Sequence, residues 1–184
     1  MGEPVKKDNK VNWYAAYTHS CQEKQVAARL ASLGVEHYLP IRKEIRKWSD
    51  RKKLIDAVVI PRIIFIHVRN AERSPLFEKV PGLHHFISFD GPGTAAVIPD
   101  SDMERFRALV EAYPQELSIT AEKFTKGDRV VVLEGPLKGR EFTLVKASGR
   151  TCIASGLGIL GTALVSFDAA NLQKISNDLS ASGR

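Results

Sequence analysis

Seven of the thirteen glycines in this 184-residue chain fall between positions 127 and 161, and this cluster limits how that part can fold. Each glycine inside a helix costs about 1 kcal/mol relative to alanine, and an interior Pro136 would add about 3 kcal/mol. Short runs of Val, Ile, Leu and Thr separate the glycines, as in small barrels with tight turns. The sequence therefore predicts β-structure rather than a helical hairpin, namely a small all-β SH3-like barrel over 124–175 with strands over 129–133, 141–145 and 162–167.

The preceding part of the chain alternates between strand and helix patterns. A strand from Val11 leads to a capping box at Ser20 and Glu23, and apolar residues then recur at helical spacing up to Gly34. Extended segments, a short helix over 71–79 and a last helix after Pro99 follow, which predicts an α+β domain with one sheet covered by helices. The predicted organisation is a flexible tail over 1–10, the α+β domain over 11–112, a linker over 113–123, the barrel over 124–175 and a flexible tail over 176–184.

Basic residues are concentrated between positions 42 and 53, where seven Lys or Arg stand against two carboxylates in a chain of net charge +6. Such a run attracts polyanions, but it is equally compatible with a solvated hairpin. Strand-favouring residues flank the run, so we expect an exposed hairpin there rather than a helix. Pro61, inside the apolar segment 54–68, predicts an edge, a bulge or a break in that segment.

Composition and motif content narrow the possible classes of function. Two cysteines cannot form a disulfide framework or a four-thiolate zinc site, and they indicate a reducing cytoplasm. No apolar run is long enough for a bilayer and no apolar core follows the first lysines, so neither a membrane span nor secretion is expected. Because no phosphate-binding loop, metal-ligand spacing or nucleophile–base pattern occurs, we expect no enzyme activity, cofactor or metal. His84 and His85 are adjacent on a strand, so we expect their side chains on opposite faces.

Residues 127–139 carry the most specific local motif, Gly-Asp-Arg-Val-Val-Val-Leu-Glu-Gly-Pro-Leu-Lys-Gly. Its charged start, alternating strand and Gly-Pro-x-x-Gly turn resemble the KOW motif of ribosomal proteins and transcription elongation factors. Val130 and Val132 alternate toward a barrel core, and the glycines allow a tight turn that we expect to push Leu137 outward. An ordinary SH3-like hairpin in an unrelated protein is the alternative.

Several anchors in the amino-terminal part occur in the order of the NusG amino-terminal (NGN) domain. They are Trp-Tyr at 13–14, a helix from Cys21, Tyr-Leu-Pro at 38–40, Ile-Pro-Arg-Ile-Ile-Phe-Ile at 60–66, Val-Pro-Gly at 80–82 and Ala-Val-Ile-Pro at 96–99. Followed by a linker and a KOW motif, the chain from residue 11 to about 175 resembles a NusG-type bacterial transcription elongation factor. The segments Ser-Cys-Gln-Glu-Lys and Arg-Lys-Trp-Ser-Asp-Arg-Lys-Lys are most similar to specialised UpxY-type paralogues, which resemble RfaH in role and serve capsular polysaccharide operons.

The resemblance implies an NGN domain plus a KOW barrel, and a monomer that binds the RNA polymerase clamp and suppresses pausing and termination. By motif position, the residues implied in polymerase binding are Tyr17, Ile63 and Phe65 in an apolar patch shaped by Pro61, and Arg73 and Ser74 at the polymerase gate loop. Strand alternation places Ile63 and Phe65 on one side, so one face can fill the core while the other meets a partner. We expect the patch to be exposed in the free protein; the alternative is that the whole strand is core.

In RfaH-like members a second surface touches the non-template DNA strand, and the matching positions here are His19, Gln25 and Arg29. His19 and Ser20 replace the family's basic residues, and Arg-Ser-Pro-Leu replaces its threonine-rich gate segment, so salt-dependent phosphate contact is favoured over sequence reading. The cations expected to make such contacts are Arg29, Lys47, Arg51, Lys52, Lys53 and Lys79.

The resemblance also implies a partner for the barrel. Leu137 lies on the turn that family members use to contact a small-subunit ribosomal protein or the Rho terminator. Three alternatives to a specialised antiterminator stay open: a housekeeping NusG-like factor, a ribosome-associated or RNA-binding KOW protein, and an uncharacterised enzyme. Co-purification with RNA polymerase would indicate a transcription factor, whereas co-purification with ribosomes or ribosomal RNA would indicate the KOW protein. An enzyme would need a cluster of reactive residues that the sequence lacks.

Overall fold

The computed structural model describes residues 10–47, 52–88, 95–124 and 127–175. The chain divides into two compact units, residues 1–103 and 104–184. The predicted tails lie outside the described residues, apart from Lys10.

The first unit is built on an antiparallel sheet whose central strands are β1 (Val11–Thr18) and β5 (Ile63–Arg69). β2 (His37–Tyr38) pairs with the outer side of β5, while β6 (Leu83–Phe86) and β7 (Val97–Ile98) pair with successive parts of β1. The helices are α1 (Glu23–Ser32), α2 (Arg73–Lys79) and α3 (Asp100–Ala112), and the boundary between the two units falls within α3. The predicted α+β domain of one helix-covered sheet is therefore confirmed.

One face of this sheet forms the core of the first unit with α1 and α2. Val26 and Leu30 of α1 and Leu76 of α2 join a buried cluster that contains the sheet residues Tyr14, Ala16, Ile64, Ile66 and Val68. The apolar spacing of α1 predicts this stripe, and Gly34 follows the helix with a φ of 69°. Side chains that alternate with the sheet residues of this cluster lie on the opposite face.

The helix-capping box predicted at Ser20 and Glu23 is wrong. Helix α1 begins at Glu23 with Gln22 as its N-cap, and no side chain caps its end. The buried Glu23 carboxylate instead accepts a hydrogen bond from the backbone N–H of Arg62 at 2.8 Å. It therefore ties the helix to the turn before β5, where Arg62 has a φ of 63°. Of the edge, bulge or break predicted at Pro61, the structure has a break, because β4 ends at Val58 and β5 begins at Ile63.

The basic segment forms the expected hairpin. β3 (Ile41–Lys47) pairs antiparallel with β4 (Lys52–Val58) in continuous register from Ile41 opposite Val58 to Lys47 opposite Lys52. The two strands form a separate two-stranded sheet. Residues 48–51, which include the predicted phosphate contact Arg51, lie outside the described residues.

The second unit contains a six-stranded antiparallel sheet, as the glycine pattern predicts. Its strands in spatial order are β13 (Leu172–Lys174), β9 (Asp128–Val132), β10 (Glu141–Ala147), β11 (Arg150–Gly156), β12 (Thr162–Ser166) and β8 (Ser118–Thr120). The β-structure predicted in place of a helical hairpin is thus confirmed. Among the described residues no pairing joins the two edge strands, so a closed barrel stays a prediction.

The segment 113–123, predicted to be a linker, contains a strand of this second sheet. Ser118 and Thr120 belong to β8, which pairs with β12. Gly161 packs so closely against β8 that a Cβ there would lie 2.0 Å from the carbonyl oxygen of Thr120. A three-residue strand is too short to produce a recognisable alternation, which explains why the sequence pattern indicated a linker.

Candidate functional site

The predicted polymerase-binding patch lies on the sheet face opposite the cluster with α1 and α2. Tyr17 of β1 stands opposite Ile63 of β5, and Ala15 stands opposite Phe65. Tyr38 of β2 is the register partner of Phe65 on its other side, with ring centroids 6.4 Å apart. Strand alternation therefore assigned Ile63 and Phe65 to the same face correctly.

The prediction that this patch is exposed is wrong for two of its residues. Phe65 is 0% exposed and Ile63 is 3% exposed in the intact chain, whereas Tyr17 is half-buried. β5 begins with four consecutive buried apolar residues, the pattern of a strand that is covered on both faces. Exposed Pro61 and half-buried Tyr17 are the members of the patch that solvent reaches.

A cluster of three histidines adjoins Tyr17. The rings of His84 and His85 are 4.7 Å apart, and His19 lies 5.3 Å from His84. The Tyr17 ring lies 4.8 Å from His85. The expectation that His84 and His85 point to opposite faces is wrong because the register between β1 and β6 shifts here: Tyr17 pairs with His85 and Thr18 pairs with Leu83. His84 is the extra residue of this bulge, which breaks the alternation and lets the two rings meet.

The surroundings of His85 in the histidine cluster shift its pKa. Burial lowers the pKa of His85 below its ordinary value of 6.5, and the neighbouring charges of His84 and Arg62 lower it further. Because the unfolded chain then binds the proton more readily than the folded chain, stability falls as the pH drops below about 6.5. Low pH therefore disfavours the packed arrangement around His85.

We expect His84→Asn to raise the pKa of His85 toward its ordinary value, since the substitution removes one of the neighbouring positive charges. NMR titration of the imidazole Cε1–H signals measures the change directly. His19→Asn is the matched control, because His19 does not contribute to the shift of His85. A pKa of His85 that is the same in the two variants would contradict the proposed electrostatic coupling.

The residues predicted to contact DNA are brought together in part. Gln25 and Arg29 are exposed and one turn apart on α1, so they share a face of the helix. The guanidinium Nε of Arg29 donates to the backbone carbonyl of Lys79 at 3.4 Å, which joins the ends of α1 and α2. His19 follows β1 and lies beside His84.

Arg73 and Ser74, predicted to contact the gate loop, open α2. The Arg73 guanidinium donates from Nε to Asn70 Oδ1 at 2.8 Å and lies 5.1 Å from the Tyr14 ring and 5.4 Å from the Phe86 ring. These contacts give Arg73 a structural role within the unit. Ser74 is exposed.

The hairpin presents the remaining predicted cations. Lys47, Lys52 and Lys53 are exposed at its outer end. Near its base, a hydrogen bond from Lys43 to Asp56, with 2.6 Å between Nζ and Oδ1, holds the pKa of that carboxyl below its ordinary value. Lys24 of α1 donates to the backbone carbonyl of Asp56 at 2.7 Å, which attaches the hairpin to the helix.

Leu137, predicted to point outward for a partner, is only 2% exposed. The turn itself has the predicted form: Gly135 and Gly139 have φ values of 83° and 78°, and the Gly139 N–H donates to Val132 O at 2.8 Å. Leu137 lines a small cavity with Ala108, Glu111 and Ala112 of α3, together with Pro136 and Arg140. The last turns of α3 therefore line a cavity together with this turn, and the side chain that the motif predicts to point outward is buried.

Across residues 10–47, 52–88, 95–124 and 127–175, no group of three or more His, Cys, Asp or Glu side chains could hold a metal ion. Within the same ranges, no helix has the length and apolar character needed to cross a membrane.

The sequence was compared with protein families, curated proteins and solved structures. The family model described as transcription termination factor nusG matches residues 11–107. No curated protein matched the chain. A structure of Thermotoga maritima NusG, reported for its domain interaction, is 20% identical with a TM-score of 0.46 and covers 91% of this chain and 98% of that one. A chain of the MjSpt4:Spt5 complex is 16% identical with a TM-score of 0.28 and covers 90% of this chain and 97% of that one.

The family match covers more than half of the chain, including all the strands of the first sheet. It defines the class of the protein as a transcription factor. The chain belongs to the NusG family.

Proposed function

We propose that this protein is a transcription elongation factor that binds the RNA polymerase clamp through the sheet face of Tyr17, Ile63 and Phe65. It acts in the cytoplasm as a monomer without enzymatic activity, and it suppresses pausing and termination on particular operons of the polysaccharide type. The observation that carries the proposal is the NusG-family match over residues 11–107, which contains the whole of this face.

Burial of this face gives the proposed binding a requirement. Phe65 and Ile63 present almost no surface in the intact chain, so a clamp helix can reach them only after the face is uncovered. Tyr17 and Pro61 are the residues available for a first contact. The free energy of polymerase binding is reduced by the free energy needed to expose this face. The apparent affinity of the free protein for the clamp is therefore lower than the affinity of its exposed state.

The proposed nucleic-acid contacts divide into two groups. Arg29 and Lys79 meet where α1 and α2 end, Gln25 lies one turn before Arg29 on α1, and His19 belongs to the histidine cluster. His19, Gln25 and Arg29 are assigned to the non-template DNA strand, and Lys79 is assigned to phosphate contact. Lys47, Lys52 and Lys53 on the hairpin, together with Arg51, are assigned to phosphate contact. Because a lysine point charge reads phosphate rather than base identity, these contacts supply affinity rather than sequence specificity.

We propose that the second unit is a closed KOW barrel. We also propose that the turn that carries Leu137 contacts a small-subunit ribosomal protein or Rho. Since Leu137 is only 2% exposed, this contact also needs its side chain to become accessible. Arg73 and Ser74 remain assigned to the gate loop, with the exposed Ser74 as the more accessible of the two.

Tyr17→Ala tests the polymerase contact without emptying a fully buried position. Loss of an aromatic anchor costs about 2 kcal/mol or more, that is, at least about thirtyfold in Kd for core RNA polymerase. Phe77→Ala, which removes a partly exposed aromatic ring from α2, is the matched control and should leave the Kd unchanged. Recovery of ribosomes instead of polymerase with the wild-type chain would favour the ribosomal alternative and contradict the proposal.

An in vitro transcription assay with paused and terminator templates tests the direction of the effect. The protein should shorten pauses and raise read-through of the terminators. Separately, action on one operon would indicate a specialised factor, whereas action on most transcribed genes would indicate a housekeeping factor. Increased termination would contradict the proposed antitermination and would agree with the family's description as a transcription termination factor.

Reversing two hairpin charges, Lys52→Glu with Lys53→Glu, should weaken binding to a transcription elongation complex most at low salt. Each lost phosphate contact lowers the slope of log K against log salt by about 1, so the double variant should lose about 2 units of slope. Lys146→Glu, at an exposed position of β10, is the matched control. An unchanged slope in the double variant would show that the hairpin cations do not touch phosphate.

A further inference from the structure

The contact between His84 and His85 tolerates at most one positive charge. The Nδ1 atoms of the two rings lie 2.5 Å apart, so one ring donates a hydrogen bond and the other accepts it. Only a neutral imidazole has a ring nitrogen that can accept, because both nitrogens of an imidazolium carry a hydrogen. Protonation of both rings would therefore set two N–H groups against each other and break the contact.

The neighbours of this histidine pair add to its positive charge. The His19 ring lies 5.3 Å from the His84 ring. Burial, and then the charges of His84 and Arg62, lower the pKa of His85. Within the part of the chain that the structure describes, neither His84 nor His85 forms an ion pair with a carboxylate. A second proton on the pair is therefore opposed by charge as well as by hydrogen-bond geometry.

The charged groups of the two helices packed nearby do not compensate for this charge. The Glu23 carboxylate of α1 accepts its hydrogen bond from the backbone N–H of Arg62, and it does not contribute to the pKa shift of His85. Helix α2 packs against β6, and its Arg73 guanidinium lies 5.4 Å from the Phe86 ring. Phe86 and His85 are adjacent on the strand and point to opposite faces, so Arg73 lies on the side away from the pair.

Tyr17 packs against the pair on the face proposed to bind polymerase. It is the register partner of His85, the two rings are 4.8 Å apart with a tilt of 43°, and Tyr17 is half-buried. His84 and His85 are exposed, so a repelled imidazole can rotate into water. Tyr17 then loses the ring that packs against it.

We propose that the His84–His85 pair is a proton-operated switch that holds the Tyr17 side chain in place at neutral pH and releases it on acidification. Because the pKa of His85 lies below its ordinary value of 6.5, the switch operates below that pH. At neutral pH the pair keeps the proton count that its hydrogen bond requires, and Tyr17 stays packed against His85.

The consequence of this switch for polymerase binding rests on the proposed function, in which Tyr17 contacts the clamp. A partner that covers the Tyr17 ring also removes water from His85, and burial favours the neutral imidazole. Proton binding and partner binding therefore oppose each other, and by reciprocity each weakens the other by the same factor. Affinity for the clamp should fall as the pH drops below 6.5.

Fluorine NMR of the full chain labelled with 3-fluorotyrosine tests the switch without any partner. The chain has four tyrosines, and the Tyr17 signal is the one missing from Tyr17→Phe. On acidification we expect this signal to shift with a midpoint below pH 6.5 and to become more sensitive to a soluble gadolinium chelate, while the other three signals stay unchanged. A Tyr17 signal that does not respond, a shift without greater access to the chelate, or parallel changes of all four signals would each overturn the proposal.

Two variants assign the response to His85. His85→Phe keeps an aromatic ring against Tyr17 but cannot bind a proton, so the Tyr17 signal should lose its pH dependence. His37→Phe makes the same chemical change at a histidine of β2 outside the cluster, and it is the matched control that should keep the dependence. A response that persists in His85→Phe, or that disappears in His37→Phe, would overturn the assignment.

The Kd for core RNA polymerase at neutral and at acidic pH tests the consequence for binding. From about pH 7.5 to about pH 5.5 the wild-type chain should lose about threefold or more in affinity relative to His85→Phe, which carries any pH dependence of the polymerase itself. An equal loss in the two chains would overturn the coupling of the switch to binding. A wild-type chain that binds polymerase at neither pH would contradict the proposed function, whereas the Tyr17 signal decides the switch in either case.

Discussion

Phe65→Ala should destabilise the protein strongly, by about 3–5 kcal/mol, because it removes a completely buried aromatic side chain and leaves a cavity. In a unit of this size a loss of that order lowers the melting temperature by more than about 10 °C. Thermal and denaturant unfolding of the full chain measure the effect. The NGN resemblance alone predicts the opposite, an exposed Phe65 whose loss weakens polymerase binding and leaves stability nearly unchanged.

Ile45→Ala is the matched control for this substitution, since it shortens an aliphatic side chain that is 65% exposed in the same unit. Surface changes of this kind alter stability by about 0.5 kcal/mol or less. A melting temperature of Phe65→Ala equal to that of Ile45→Ala would show that Phe65 is exposed in solution. If Phe65→Ala unfolds as expected, a loss of polymerase binding by that variant cannot be attributed to a missing contact, and Tyr17→Ala becomes the informative variant.

The burial of Phe65 shows that strand alternation predicts which face a side chain lies on but not whether that face is exposed. A period of two assigns Ile63 and Phe65 to one face and Ile64 and Ile66 to the other, and the structure has this assignment. Alternation does not say whether the second face meets water. The uninterrupted apolar run Ile-Ile-Phe-Ile did carry that information, because strands covered on both faces lose the apolar–polar alternation.

The histidine cluster and the short strand β8 could not be predicted, because both depend on strand pairing that leaves no recognisable pattern in the sequence. One extra residue in β6 brings the rings of His84 and His85 together, and a bulge of this kind depends on pairing with a distant strand. Ser118–Thr120 pairs with a strand more than forty residues away, and three residues are too few for a pattern. The hairpin at 42–53 was predictable because its whole register is local.

Leu137→Ala should destabilise the second unit by about 2–5 kcal/mol, the usual cost of a buried Leu-to-Ala change. The KOW resemblance places this leucine on an outward turn, and the glycines do form that turn. The sequence could not show that residues 108, 111 and 112 of α3, between 25 and 29 positions earlier, line a cavity with it. Burial makes this expected partner-contact position part of the core of the unit.

Leu133→Ala provides the matched control four residues earlier, because Leu133 is 39% exposed whereas Leu137 is 2% exposed. The two variants make the same chemical change next to the same turn, so their unfolding free energies differ only through burial. We expect Leu133→Ala to cost less than about 1 kcal/mol, and equal costs would place Leu137 in solvent. The larger cost at Leu137 would also mean that a partner docking on this turn must first expose a buried side chain.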